Sequence, residues 1–69
     1  MTKLKRLLTL REVMELTTLS RATIYRKMEL GTFPKPVQIS KRRVAWRTSD
    51  VNAWIDAKLA GQEWEAGDE

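Results

Sequence analysis

The stretch of residues 17–31 constrains the fold of this chain most strongly, because a helix start, an amphipathic face and a helix stop follow one another within it. Ser20 is a preferred N-cap residue. Ile24 and Met28 lie four residues apart and therefore share one face of a helix. Gly31 suits the left-handed conformation that ends a helix. These signals predict a short helix with one buried face, entered through a tight turn.

A second short helix is predicted immediately before that turn. Thr9 followed by Glu12 fits a capping box, in which the hydroxyl and the carboxylate each satisfy a backbone N–H group. Apolar residues then recur at helical spacing, at Leu10, Val13, Met14 and Leu16. The β-branched pair Thr17–Thr18 favours a turn over a helix interior. We therefore expect helices over roughly residues 9–16 and 21–30, joined tightly.

The residues after the second helix predict a β-hairpin. The segment Thr32–Pro36, with the sequence T-F-P-K-P, is not helical, because each proline disfavours helix at the residue before it. Apolar and polar residues then alternate on both sides of a basic stretch, which indicates two antiparallel strands. The loop is expected at Ser40–Arg43. The apolar face of the hairpin is expected to hold Val37, Ile39, Val44 and Trp46.

A third helix is predicted from Thr48 or Ser49, since either is a suitable N-cap, with Asp50 near the positive end of the helix dipole. Gly61 is its expected stop. Residues at helical spacing within it are Val51, Trp54, Ile55, Lys58 and Leu59. The fold class is therefore mainly α with a small β-hairpin. It is a winged helix-turn-helix, in the order helix–turn–helix–β-hairpin–helix.

Composition excludes several classes of protein. The 69 residues suffice for one domain. There is no cysteine and no histidine, so disulfides, thiolate catalysis and the commonest metal ligand and general base are absent. No apolar run approaches the roughly 20 residues that span a bilayer, and the N-terminus lacks the apolar region of a signal peptide. We expect a cytoplasmic protein that is not an enzyme and needs no cofactor, metal, membrane or small-molecule ligand.

Positive charge is concentrated in residues 1–60, the expected domain. All 13 Lys and Arg residues lie there, against five of the nine acidic residues. The other four acidic residues lie in residues 61–69, which we expect to be a flexible acidic tail. Trp64 in this tail fits no periodic pattern, and both folding back onto the domain and contact with a partner stay open. A basic body of this density favours a polyanionic partner, although a soluble domain that is merely basic is the simpler alternative.

The second helix has the surface that a DNA-reading helix needs, because the face opposite Ile24 is polar or small. Arg26 is the first candidate for base contact, since a guanidinium bonds a guanine edge bidentately, and Arg21 on the first turn is the second. Thr23 is expected to meet a thymine methyl or a phosphate, and Ala22 permits close approach. The residues expected to position the DNA backbone are Ser20, Tyr25 and Lys27. The alternative for each residue alone is an ordinary solvated helix face.

Lys41, Arg42 and Arg43 form a run of cations in the predicted hairpin loop. Adjacent like charges repel one another without an anionic partner. A minor groove or its flanking phosphates would stabilise them. The alternative is a solvated loop. The N-terminal cations, Lys3, Lys5 and Arg6, are either further phosphate contacts or ordinary surface charges.

Five segments of the chain resemble one family. They are Leu10-Arg11-Glu12-Val13, Leu19-Ser20-Arg21-Ala22-Thr23-Ile24-Tyr25-Arg26, Gly31-Thr32-Phe33-Pro34-Lys35-Pro36-Val37, Val44-Ala45-Trp46 and Ser49-Asp50-Val51-Asn52-Ala53-Trp54-Ile55. Together they resemble the AlpA family of small prophage-associated transcription regulators, within the wider excisionase and MerR-like group of winged helix-turn-helix proteins. The resemblance covers about residues 8–57. It departs at Thr18, where such proteins often carry glycine.

The resemblance implies a double-stranded DNA-binding regulator of prophage or mobile-element genes. Some relatives instead act in site-specific recombination, so an excisionase-type directionality factor that bends DNA at an attachment site is the alternative. Either role implies several copies on DNA, or an integrase as partner. A third hypothesis is an interaction module for an acidic protein or RNA, or an anti-repressor acting through Trp64 and the acidic tail.

Overall fold

The structure, a computed structural model, describes residues 5–62, which form three helices and a three-stranded sheet. The elements in chain order are β1 (Leu7–Leu8), α1 (Leu10–Thr17), α2 (Arg21–Glu29), β2 (Val37–Ser40), β3 (Arg43–Arg47) and α3 (Thr48–Leu59). The predicted fold class, a helix-turn-helix followed by a hairpin and a third helix, is confirmed. The expectations for Lys3, for Trp64 and for the acidic residues of the tail fall outside the described residues.

Helix α1 begins at the predicted capping box. The Glu12 backbone N–H donates to Thr9 Oγ1 over 3.1 Å, and the Thr9 backbone N–H donates to Glu12 Oε1 over 2.9 Å. The helix ends at Thr18, whose φ of 63° is left-handed and whose N–H donates to the Met14 carbonyl over 2.8 Å. Three residues, 18–20, then connect α1 to α2, so the turn is as tight as the sequence predicts.

Helix α2 begins at Ser20 and ends at a glycine. The Ser20 hydroxyl accepts a hydrogen bond from the Thr23 N–H over 3.2 Å. At the other end Gly31 has a φ of 77°, and the N–H of Thr32 donates to the carbonyl of Lys27 over 2.9 Å. Together with the bond from Gly31 N–H to Met28, this is a Schellman motif, which satisfies the last carbonyls of the helix.

Helix α3 starts earlier than predicted. Neither Thr48 nor Ser49 is its N-cap. Arg47 holds that position without a side-chain hydrogen bond, because β3 runs directly into the helix. The N–H of Thr48 instead donates to the Arg6 carbonyl over 2.9 Å, so the backbone before β1 supplies the acceptor. Gly61, with a φ of 75°, ends the helix as predicted.

Strand β3 is the centre of the sheet, with β1 and β2 antiparallel on its two sides. In β1, Leu7 lies opposite Arg47 and Leu8 opposite Trp46. The sequence does not predict β1, because two residues are too few to show an alternating pattern. Its effect is to tie the N-terminal segment to the start of α3.

The core lies between the sheet and the helices, and Trp46 and Trp54 belong to it. Its buried residues are Leu8, Val13, Ile24, Phe33, Trp46, Val51 and Trp54. Trp46 Nε1 donates to the Pro34 carbonyl over 3.0 Å, and Trp54 Nε1 donates to the Thr32 carbonyl over 2.8 Å. Phe33, which lies between Thr32 and Pro34 in the chain, packs edge-on against Trp54, with ring centroids 5.0 Å apart. The segment from α2 to β2 is therefore fixed by buried side chains.

The hairpin differs from the prediction in its loop and its apolar face. The turn is only Lys41–Arg42, with Ser40 paired opposite Arg43. The register shifts between Gln38 and Ser40, so that Ile39 is a bulged residue. Val37 lies opposite Ala45, and Gln38 lies opposite Val44. Since directly opposite residues share a face, Val37 is on the other face from Val44 and Trp46, and the predicted common face of these residues is wrong. The bulge also breaks the two-residue alternation at Ile39.

The core covers only the inner half of the hairpin. Trp46 is fully buried and Ala45 is nearly so, whereas Val44 is 41% exposed and Ile39 is 50% exposed. Alternation correctly groups Val44 with Trp46, but the pattern carries no information about how far the core extends along a strand. Within residues 5–62, none of the helices combines the length and apolar character needed to cross a lipid bilayer.

Candidate nucleic-acid interface

Helix α2 turns one apolar side to the core and its basic side to solvent. Ile24 is fully buried, and Met28 packs against the core. On the opposite side Ala22 and Arg26 are exposed, as predicted from helical periodicity. The remaining candidates flank this surface: Arg21 and Tyr25 are exposed, whereas Thr23 and Lys27 are half-buried. We call the exposed side of α2, from Arg21 to Lys27, the helix surface.

The start of α2 is stabilised by two side-chain hydroxyls that also lie at the helix surface. The Ser20 hydroxyl accepts from the Thr23 N–H and donates to Thr23 Oγ1 over 2.9 Å. Thr23 therefore accepts with its oxygen and keeps its own proton for another acceptor. This arrangement leaves a hydroxyl donor beside the positive end of the α2 dipole, a combination that suits a phosphate oxygen.

Arg26 and Lys27 lie in the last turn of α2. Cations there interact favourably with the negative end of the helix dipole, by about 0.3–1 kcal/mol. Both residues therefore have a structural role besides any contact with a ligand. A substitution at either position has to be tested for folding as well as for binding.

The tip of the hairpin, which we call the wing tip, consists of the turn Lys41–Arg42 and the adjoining Arg43. All three side chains are exposed. The Gln38 side-chain amide donates to the Lys41 carbonyl over 3.4 Å, which links the turn to β2. The structure therefore holds these cations on a strand-supported hairpin end rather than in a long loop.

The cations of the helix surface and the wing tip take part in neither of the two ion pairs found in residues 5–62. Those pairs are Lys5 with Glu12, and Arg47 with Asp50 at 3.7 Å. The ammonium group of Lys5 and the Thr9 N–H lower the pKa of Glu12 below its usual value by hydrogen bonding to its carboxylate. Lys5 is thus engaged within the protein, whereas the candidate DNA-binding cations have no ion-pair partner within residues 5–62.

Arg11 is a further exposed cation, near the N-cap of α2, that no sequence pattern identifies. It is exposed on α1 and lines a shallow cleft between α1 and the turn that precedes α2. The cleft also includes Ser20, the N-cap of α2. No feature of the sequence distinguishes Arg11 from other surface cations, since only the crossing of the two helices brings it to this position.

The described residues offer two separate basic surfaces that suit an extended polyanion. Thr32–Pro34, which follows α2, is bound by the tryptophans of the sheet and α3, so the helix surface and the wing share one rigid support. No hydrogen bond or ion pair within residues 5–62 joins the two surfaces directly. In the same range, the acidic side chains form no cluster of three that would hold a metal ion.

Comparison with known proteins shows that the chain is similar to a family of phage proteins and to a protein of a bacteriophage. The model of a family described as "Prophage CP4-57 regulatory protein (AlpA)" matches residues 6–59. The chain is also 42% identical, over 59 residues, to the "Uncharacterized protein ORF88" of Enterobacteria phage P4. That similarity covers 86% of this chain and 67% of the phage protein. Both matches include α1, α2 and the hairpin.

Proposed function

Because the chain belongs to the AlpA family of prophage regulatory proteins, we propose that it binds double-stranded DNA in a sequence-specific manner and regulates the transcription of prophage or mobile-element genes. The helix surface reads the major groove in this proposal. The wing tip binds the adjacent minor groove or its phosphates. The resemblance to winged helix-turn-helix regulators supports the docking mode.

The observation that carries the proposal is the pairing of a tight helix-turn-helix with two exposed cationic surfaces. The six cations concerned are Arg21, Arg26, Lys27, Lys41, Arg42 and Arg43, and neither ion pair of residues 5–62 includes them. A duplex presents regularly spaced phosphates, which neutralise such cations with release of counterions. An acidic protein would have to match the same spacing with carboxylates.

Each candidate has a distinct role in this proposal. Arg26 and Arg21 contact base edges, and Arg26 has the geometry for guanine. Thr23 meets a thymine methyl or a phosphate, while Ala22 lets the helix approach closely. The residues that position the DNA backbone are Ser20, Tyr25, Lys27 and Arg11.

Selection from a pool of random duplexes at about 150 mM salt, a concentration that suppresses weak non-specific binding, tests the proposal. We expect a short enriched motif, because base-edge contacts discriminate by about 1–3 kcal/mol each. Arg47→Ala is a control matched in charge, since Arg47 pairs with Asp50 at the start of α3. Its motif should be unchanged. Retention without any enriched motif contradicts base reading, and no retention contradicts DNA binding.

The position of the selected motif distinguishes a transcription regulator from a recombination factor. Copies at a promoter support regulation of transcription. Copies confined to an attachment region support an excisionase-type role, in which the protein bends DNA beside an integrase. Ligation of short duplexes into circles measures that bending directly.

A further inference from the structure

A cleft beside the first turn of α3 belongs to neither the helix surface nor the wing tip. Its volume is about 710 Å³, and it lies where β1 and the end of β3 meet the start of α3. The residues that line this α3 cleft include three exposed cations, Lys5, Arg6 and Arg47. They also include Leu7, whose side chain the core leaves 42% exposed. The α3 cleft therefore combines positive charge with an exposed apolar side chain.

The positive charge of the α3 cleft is only partly balanced within the domain. Arg6 takes part in neither ion pair of residues 5–62. Arg47 approaches Asp50 only to 3.7 Å, and its side chain stays 64% exposed. Among the described residues, no acidic side chain lines the α3 cleft itself. A carboxylate that entered the α3 cleft would therefore be attracted to it.

The end of the sequence carries the complementary chemistry. Residues 61–69 contain no basic residue, and Trp64 stands between two glutamates. The acidic residues of this segment are Glu63, Glu65, Asp68 and Glu69. An indole covers an exposed leucine well, while carboxylates on both sides of it meet surrounding cations. The acidic segment and the α3 cleft thus match in charge and in apolar character.

The length of the chain favours the acidic segment of a second copy over that of the same copy. The Gln62 N–H donates to the Ala57 carbonyl over 2.8 Å, which holds Gln62 at the C-terminal end of α3. The α3 cleft lies at the other end, and the helix between Ala57 and Thr48 is about 14 Å long. Trp64 is two residues beyond Gln62, so its backbone covers at most about half of that distance. A second copy can place Trp64 and both glutamates in the α3 cleft together.

We propose that residues 63–69 of one copy bind the α3 cleft of the next copy, with Trp64 on Leu7 and the glutamates beside Arg6 and Arg47. The contact is heterologous, because cleft and acidic segment lie at different places on each copy, and it therefore produces an open row of copies. It goes beyond the proposed function and does not depend on it, since no DNA takes part in the contact.

Such a row is compatible with copies on adjacent sites of a duplex. The longest extent of the domain is 32 Å, close to one turn of DNA, about 34 Å. Residues 63–69 span at most about 24 Å when extended, which is enough to bridge neighbouring domains on successive turns.

Sedimentation equilibrium of the full chain without DNA tests the contact. At high protein concentration and low salt we expect an average mass above the 8.0 kDa of one chain. That excess should vanish at about 1 M salt, because exposed charges are then screened beyond about 3 Å. Trp64→Ser alters the acidic segment, and the double variant Arg6→Gln, Leu7→Thr alters the α3 cleft. Each variant alone should sediment as a single chain.

An equal mixture of the two variants tests the head-to-tail arrangement. The double variant keeps an intact acidic segment, and Trp64→Ser keeps an intact α3 cleft, so one contact can form between them. The mixture should therefore form dimers and nothing larger. The matched control is Leu30→Thr with Lys35→Gln, which alters an exposed leucine and an exposed cation elsewhere. It should associate like the unaltered protein.

Three results overturn the inference. One is an unaltered protein that sediments as a single chain at low salt, which is also the outcome if each acidic segment binds only its own copy. Another is a double variant that associates like the unaltered protein, which would place the contact outside the α3 cleft. The third is a mixture that stays at the mass of one chain. Because no measurement includes DNA, a failure of the proposed DNA binding is detected separately.

Discussion

Thr18 is the non-glycine residue with a positive φ, 63°, among residues 5–62. A β-branched side chain crowds the backbone in this conformation, at a cost of roughly 1–2 kcal/mol. The conformation is imposed because the chain has to reverse within residues 18–20 to bring α2 against α1. The pair Thr17–Thr18 predicts the turn, and Thr18 stands where related proteins often carry glycine. The sequence does not identify which residue is left-handed, because that depends on the crossing of the helices.

Thr18→Gly should stabilise the protein by about 0.5–1 kcal/mol. Glycine adopts positive φ without steric cost, and part of the gain is offset by its greater freedom in the unfolded chain. Urea unfolding at equilibrium measures the change. Thr17→Gly is the matched control and should destabilise by about 1 kcal/mol, because Thr17 is helical and its hydroxyl donates to the Val13 carbonyl over 2.7 Å. Equal effects at both positions would contradict the role of backbone strain.

Arg26→Ala should weaken binding to the selected site by about 1–3 kcal/mol and relax the preference at one base pair. Lys27→Ala is the neighbouring comparison and should weaken all sequences alike, because a phosphate contact carries no sequence information. Both residues lie in the last turn of α2, so each variant loses a similar dipole interaction. Titrations against the selected duplex and single-base variants measure the difference.

Circular dichroism of both variants separates a loss of folding from a loss of contact. The assignment of Arg26 to a base is wrong if its substitution weakens every duplex equally. It is also wrong if Lys27→Ala alone alters the preferred sequence.

At the scale of the elements, α1 depends on a capping box that is joined to an ion pair. The Lys5 ammonium group lowers the pKa of Glu12 first by hydrogen bonding, and the Thr9 N–H lowers it further. A carboxyl whose pKa is lower in the folded state contributes stability that is complete above its unfolded pKa. That contribution is lost as the pH falls through the folded pKa.

Glu12→Gln should therefore make the stability of the protein less dependent on pH between about pH 6 and pH 3. Glutamine can still complete a capping box, so the substitution removes the charge while keeping the cap. Urea unfolding of both proteins across this range measures the difference. Lys5→Met should flatten the profile in the same way, and added salt should shrink the effect, because the pair is exposed. Parallel profiles for all three proteins would contradict this account.

Local sequence signals predict the helices well but predict the sheet only in part. The Thr9–Glu12 box, the Ser20 cap and the glycine stops act within a few residues, so they can be recognised from the sequence. The pairing of β1, the bulge at Ile39 and the start of α3 at Arg47 depend on contacts between distant segments. The exposure of Val44 has the same origin, because strand alternation predicts the face on which a side chain lies and not how deeply that side chain is buried.

At the scale of the whole molecule, the positive charge should dominate the thermodynamics of DNA binding. The observed association constant should fall with salt at a log–log slope of about −4 to −7, for roughly five to eight neutralised phosphates. Fluorescence anisotropy with a labelled duplex at several salt concentrations measures the slope. Affinity that barely changes with salt would contradict binding through the helix surface and the wing tip.

The size of the protein limits what one copy can recognise. Its longest extent is 32 Å, close to one turn of duplex DNA, about 34 Å. One copy therefore covers a short site, and single-module interfaces of this kind are small. Adjacent repeated motifs in the selected duplexes would be the expected consequence. The candidate residues themselves are predictable from helical periodicity and charge, whereas Arg11 requires the assembled pair of helices.

The hydrogen bonds from the two indole groups to Thr32 and Pro34 have a consequence for how this protein can change. These bonds hold the connection between α2 and the hairpin through the buried indoles of Trp46 and Trp54. Neither tryptophan belongs to the helix surface or the wing tip. The residues that would choose a target are therefore distinct from the residues that fix this connection. Libraries randomised at Arg21, Ala22 and the wing tip can search for new targets while the connection between α2 and the hairpin stays intact.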